Sequence, residues 1–179
     1  MINEEKKSLR KKIKMIKANF SLESKIEKSK LIWKKIESLK VFQDSKIVML
    51  YWSMSNEVFT HEFILKWVKS KRIILPSVQG DVLILKEFNG FQNMKVGESF
   101  GILEPQGMDF MEINSIDLII VPGVAFDIKN NRMGRGKAYY DKLLLSTKAY
   151  KLGVCFDFQL FKKIPVDEFD VKMDKIITD

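Results

Sequence analysis

The sequence predicts an α/β fold: a mostly parallel, twisted sheet flanked by helices as a three-layer sandwich, with basic helices at the N-terminus. Two observations carry this. After residue 46, short apolar runs alternate with polar turns and helix-forming stretches, the order that builds parallel sheets. Residues 118–121 form an unbroken apolar run closed by Pro122-Gly123, as expected of a strand buried on both faces. A length of 179 residues with 46% hydrophobic content supports one core, so residues 1–179 are read as a single domain.

Taken in order, the chain opens with its charge. Residues 1–40 hold 13 Lys/Arg against 5 Asp/Glu and the remainder 18 against 18, so the whole formal charge of +8 is N-terminal. Leu9, Ile13, Ile16 and Phe20 recur at helical spacing, which predicts amphipathic surface helices with lysines as the solvated face. The competing reading is a nucleic-acid arm. Aromatic residues are sparse there, only Phe20 and Trp33, which favours the first reading and no nucleic-acid partner. Ser21 is placed to cap a second helix over residues 22–39.

Residues 47–52 predict a strand, SMSNEVFT a polar turn, and residues 61–69 a helix with Thr60 as N-cap. This βα unit opens its loop at the C-terminal end of a strand, where open α/β sheets place ligands. A strand over 72–78 ending near Pro76, and a hairpin or edge strand over 81–88, follow. Gly101 and Pro105 argue for a loop. Residues 151–156 read as a strand carrying Cys155, the single cysteine, as a buried thiol; with no intramolecular disulfide possible, a reducing cytoplasm fits. The N-terminus is charged from Glu4 with no apolar leader, and no apolar run is long enough to span a bilayer, so no membrane association is expected. His61, the only histidine, is assigned no chemistry.

The chemistry concentrates in residues 117–145, DLIIVPGVAFDIKNNRMGRGKAYYDKLLL. After a turn at Asn130-Asn131, RMGRGK puts three cations and two glycines into six residues before a helix-forming stretch over 138–145. Glycines let a backbone approach a ligand and cations neutralise an anion, so this outlines a phosphate site. It is not a Walker A loop, since Ala138 follows Lys137 where Ser or Thr belongs. Nor is it a dinucleotide fingerprint, since Tyr139 takes the third glycine position. By spacing alone a solvated basic turn accounts for it equally well.

The whole stretch resembles the C-terminal signature of the 5-formyltetrahydrofolate cyclo-ligase family, D-L-I-x-V-P-G-x-A-F-D followed by R-L-G-x-G-x-G-Y-Y-D. Met133 replaces the usual leucine and Ala138 the usual glycine. Further segments extend the likeness over nearly the full length: K-x-x-L-R at residues 6–10, the S-x-x-x-E-V-x-T run at 53–60, G-I-x-E-P at 101–105, and the closing acidic segment at 164–170. The resemblance implies ATP-dependent cyclisation of 5-formyltetrahydrofolate to 5,10-methenyltetrahydrofolate in a cytoplasmic monomer, with ATP as co-substrate and Mg2+ as cofactor. It implies nucleotide contacts at Lys6, Lys7, Ser8, Leu9, Arg10, Arg132, Met133, Gly134, Arg135, Gly136, Lys137, Ala138, Tyr139 and Tyr140. Arg135 and Lys137 would act on the transferred phosphoryl group; Trp52, Glu57, Arg135 and Tyr139 would hold the folate; Asp141 and Asp170 would bind magnesium. The segment 101–105 would lie near the folate. An ATP-dependent phosphotransferase acting on another small carbonyl or amide is the remaining alternative.

Overall fold

The computed structural model describes residues 2–97 and 101–179. Two helices, α1 (Ile2–Ala18) and α2 (Leu22–Glu37), open the chain, and Ser21 caps the second by accepting from the Ser24 amide. A short α3 (Lys40–Asp44) leads into β1 (Ile47–Met49), α4 (His61–Trp67), β2 (Arg72–Gln79) and β3 (Val82–Glu87). Two short strands, β4 (Met94–Val96) and β5 (Leu103–Pro105), precede β6 (Leu118–Pro122), β7 (Ala125–Asp127), β8 (Arg132–Met133) and α5 (Tyr139–Leu145). The chain closes with β9 (Tyr150–Val154), β10 (Leu160–Phe161) and β11 (Lys175–Ile177).

The main sheet runs β11-β9-β6-β1-β2-β3, parallel throughout except for the antiparallel edge strand β3. Both faces are buried, and the pleat divides them. Val48, Leu50, Leu118 and Ile120 pack beneath α2, α3 and α4 with Ile32, Trp33, Phe42 and Phe63. Met49, Ile119 and Val121 pack on the opposite face with Leu143 and Leu144 of α5. Alternate residues of one apolar run thus feed two cores, which is the three-layer arrangement.

Several elements differ from expectation for local reasons. β1 stops at Met49 rather than residue 52. The Leu50 amide still reaches the Ile74 carbonyl, but Thr60 Oγ1 then donates to Tyr51 O at 2.7 Å and accepts from the Ser53 amide at 3.0 Å, drawing the chain into a loop. Thr60 therefore does not cap α4 with its side chain. β2 runs through Pro76 to Gln79 because Pro76 pairs with Leu85 at a position whose amide direction faces away from β3, on the side where β1 has already ended. Residues 103–105 are a strand, not a loop: β5 pairs antiparallel with β4. Along α1 the inward positions are Lys6, Leu9, Arg10, Ile13 and Lys17, whereas Ile16 is 36% exposed at its margin. Three of those five inward positions are cations.

Asp127 fixes the turn that presents RMGRGK. Fully buried, it accepts from the Lys129, Asn131 and Ile164 amides and from Asn131 Nδ2 at 2.9 to 3.2 Å. Burial alone would raise its pKa, but these bonds outweigh it and hold the carboxyl below its ordinary value. Asp127→Ala is expected to cost about 3 kcal/mol in urea unfolding at pH 7, since four donors lose a charged acceptor. Because the folded pKa is depressed, the wild-type advantage is present above the ordinary carboxylate pKa and is lost as pH falls through the folded value.

Candidate active site

A cleft opens where the strand order reverses. β1 passes the chain to β2 on one side while its other neighbour, β6, leads on to β9, so the connections leaving β1 and β6 diverge above their C-terminal ends. Tyr51 and Trp52 line the cleft from the end of β1, Pro122 and Gly123 from β6, and Pro76 and Val78 from β2. Counting the open solvent at its mouth, it encloses ≈ 870 Å³.

The RMGRGK loop forms one wall. Arg132, only 3% exposed, donates from Nη2 to Asp141 Oδ1 at 2.8 Å and from Nη1 to Pro122 O at 3.3 Å, while its Nε has no partner among the described residues. Gly134 lies tight beside it: a Cβ there would stand 3.0 Å from Nη1, so the guanidinium would have to shift slightly. Arg10 reaches over from α1, its Nε donating to Gly134 O at 2.9 Å and its guanidinium lying against Gly136, whose φ of 97° suits glycine. Ala138 takes a left-handed conformation (φ 55°) where the family pattern has glycine. Met133 is a core residue packed near Ala125 and Ile164, so only its backbone is available to a ligand. Lys137 is exposed at the cleft and makes no ion pair among the described residues.

The opposite wall comes from the loop after β1. Glu57 lines the cleft, accepts from the Met54 amide at 3.0 Å, and pairs with Arg135 Nη2 at 2.9 Å. Two predicted substrate residues are thereby brought together across the cleft. Trp52 is stacked on His61 with centroids 4.0 Å apart, and His61 Nε2 lies 3.1 Å from Ser53 O, so the lone histidine buttresses this aromatic wall. Tyr139 also lines the cleft, although its hydroxyl donates to Gly80 O at 3.1 Å.

The N-terminal motif divides. Lys6 is buried, its ammonium 2.6 Å from Asp167 and 2.5 Å from Asp170. Burial would lower its pKa, but the two carboxylates prevail and raise it. Leu9 packs around Ala125, Met133 and Ile164, while Lys7 and Ser8 are exposed and do not line the cleft. Two cleft-lining residues escaped the sequence reading. Tyr51 was hidden inside an apolar run, and Glu104, buried and bonded to Ser77 Oγ and the Val78 amide, lay in a segment read only as a nearby loop. Lys17 does not line the cleft, but burial pushes its pKa down to about 8, against the opposing field of Glu57.

With this geometry established, the likeness to known proteins can be stated. The model of the 5-formyltetrahydrofolate cyclo-ligase family matches residues 2–179. The chain belongs to that family. It is 30% identical to the mouse 5-formyltetrahydrofolate cyclo-ligase over 98% of this chain and 94% of that protein. The solution structure of the Aquifex aeolicus 5,10-methenyltetrahydrofolate synthetase superposes with a TM-score of 0.87 at 37% identity, covering 97% of this chain and 89% of the other. The Mycoplasma pneumoniae 5,10-methenyltetrahydrofolate synthetase gives 0.79 at 28% identity, covering 97% and 98%.

No cluster of three or more His, Cys, Asp or Glu suited to a metal occurs among the described residues. Magnesium needs less, since one or two carboxylates suffice when nucleotide phosphates and water complete its shell. Asp141 and Asp170 fit that requirement. Arg132 and the Val171 amide bond only Oδ1 of Asp141, and Lys6 and the Asp167 amide bond only Oδ2 of Asp170, so each carboxylate keeps one oxygen free of the described donors. The Val171 contact also brings the two acids to neighbouring points of the fold.

Lys17 provides a pH test of its own burial. A folded pKa near 8 lies below the ordinary 10.5, so the unfolded chain binds the extra proton between those values and stability rises with pH across that window. Lys17→Met is expected to be more stable than wild type at pH 7, by about 1 kcal/mol after solvent screening, with the difference closing by pH 10.5. Urea midpoints for both proteins from pH 7 to 10.5 check this; a constant difference would place Lys17 in solvent.

Proposed function

We propose that this chain catalyses the ATP- and magnesium-dependent cyclisation of 5-formyltetrahydrofolate to 5,10-methenyltetrahydrofolate, releasing ADP and phosphate. One observation supports it above others: within a chain of this family, Arg132, Arg135, Lys137, Trp52 and Glu57 converge on one cleft at the switch point of the sheet. The reaction needs no protein nucleophile. A formamide oxygen leaves too poorly to be expelled as such, so it first attacks the γ-phosphorus, and ADP departs with the electron pair of the broken bond. The folate nitrogen at position 10 then adds to the activated carbon and gives up its N–H proton to solvent, and the C–O bond breaks as phosphate takes its electrons.

Such a transfer calls for positioning and charge neutralisation. Arg132, Arg135 and Lys137 supply the charge, with Lys6, Arg10 and the backbone of residues 132–140 completing the nucleotide site. The paired Arg135–Glu57 contact means a phosphate entering the cleft competes with Glu57 for Arg135, leaving that carboxylate to accept from the donor-rich edge of a pterin. Trp52, held by His61, offers its face to the pterin ring. Magnesium held by Asp141 and Asp170 supplies charge neutralisation to the phosphates. We place this reaction in the cytoplasm, carried out by a monomer of one domain acting on small molecules.

A spectrophotometric assay for the methenyl product decides the reading: product must require both ATP and magnesium. Folate-independent ATP turnover would favour the general phosphotransferase instead, and salt-sensitive binding of random DNA or RNA a nucleic-acid role for the N-terminal helices. Arg135→Ala and Lys137→Ala are each expected to lower turnover by roughly two to three powers of ten, with a smaller loss of folate affinity.

Asp141→Asn and Asp170→Asn are expected to raise the magnesium concentration needed for half-maximal turnover. Asp174→Asn is expected to leave it unchanged, because Asp174 is engaged elsewhere, accepting from the Lys151 amide at 2.7 Å. The reverse pattern would move the metal off Asp170.

A further inference from the structure

Three tyrosines line the cleft, and their hydroxyls differ in one respect. Tyr51 donates to Val58 O at 3.1 Å, and Tyr139 donates to Gly80 O at 3.1 Å. The Tyr140 hydroxyl is buried and has no hydrogen-bond partner among the described residues. A buried, unmatched donor costs a fold on the order of 1–3 kcal/mol, so its retention calls for an explanation. The only other buried side-chain polar atom so orphaned among the described residues is Nε of Arg132, whose guanidinium carbon sits 5.7 Å from the centre of the Tyr140 ring. Both residues line the same cleft, and two donors left without acceptors there suit an oxygen atom of a ligand.

We propose that Tyr140 donates its hydroxyl hydrogen bond to the formyl oxygen of the bound substrate, placing this residue with the reacting carbonyl rather than with the nucleotide. The inference rests on the cyclo-ligase reading above. At neutral pH the phenol is protonated and acts only as a donor. Phosphate oxygens find charged donors in Arg135 and Lys137 on the same cleft, which leaves this neutral donor to the neutral carbonyl. While the formyl oxygen attacks phosphorus with one lone pair, the hydroxyl holds its other and fixes its direction. When the nitrogen at position 10 has added and lost its proton to solvent, the C–O bond breaks, the electron pair moves onto that oxygen and the hydrogen bond strengthens, the tyrosine keeping its own proton.

Tyr140→Phe removes only the oxygen. Because that oxygen bonds nothing among the described residues, the variant is expected to melt at or above the wild-type temperature, whereas Tyr51→Phe and Tyr139→Phe, which sever protein bonds, are expected to melt lower. Its calorimetric Kd for 5-formyltetrahydrofolate is expected to rise about tenfold, with the Kd for a non-hydrolysable ATP analogue unchanged and kcat reduced beyond the loss in binding. Weakened analogue binding with normal folate binding would overturn the proposal by assigning the hydroxyl to the nucleotide. Unchanged affinities and kcat, or a lowered melting temperature, would overturn it by showing a hydroxyl that serves the fold. Wild-type protein that forms no methenyl product would instead overturn the underlying reaction, a result separate from either.

Discussion

The arrangement around the cleft depends on a guanidinium taken out of water. Arg132 is almost wholly buried, and an uncompensated charge there would be prohibitive. Its compensation comes from separate parts of the chain: the Pro122 carbonyl at the end of β6, and the Asp141 carboxylate on α5. Asp141 in turn accepts from the Val171 amide, which draws the C-terminal segment to the same place. Meeting the needs of one cation therefore fixes the end of a central strand, the glycine loop, the first turn of α5 and the residues beside Asp170.

Around that centre the remaining charges are matched among themselves. Arg135 is held by Glu57 and Asn56, and Lys6 by Asp167 and Asp170. These pairs join separate parts of the chain without the high cost of isolated charge. The N-terminal half of α1 is tied to the loops beside it by Lys6, paired with the C-terminal segment, and by Arg10, bonded to the Gly134 carbonyl. The N-terminal charge excess is thus partly directed inward. Its outward lysines remain a solvated face.

Backbone conformation sets the loop's shape where charge does not. Gly136 and Ala138 both have positive φ, two residues apart, so the chain reverses sharply before α5 begins at Tyr139. For alanine this conformation is strained by on the order of 1–2 kcal/mol. The surrounding contacts hold it there: Arg10 against Gly136, Tyr139 bonded to Gly80, and Leu143 and Leu144 packed on the sheet.

What the sequence determined by itself was whatever local physics dictates. The apolar run at 118–121 predicted a strand buried on both faces and the alternation after residue 46 a largely parallel sheet, and both are found, whereas two glycines among three cations outlined an anion loop no better than a solvated turn. Tertiary structure decided everything that depends on residues distant in the chain. β1 ended early because Thr60, nine residues beyond Tyr51, took its carbonyl. Residues 103–105 became a strand because β4 lay alongside. Lys6 met Asp167 and Asp170 across more than 160 positions, a contact no spacing rule encodes. Tyr51 and Glu104 as cleft residues, and Lys17 as a buried cation, were illegible for the same reason: their meaning lies in burial and in the charges that face them, which exist only once the sheet has brought its loops together.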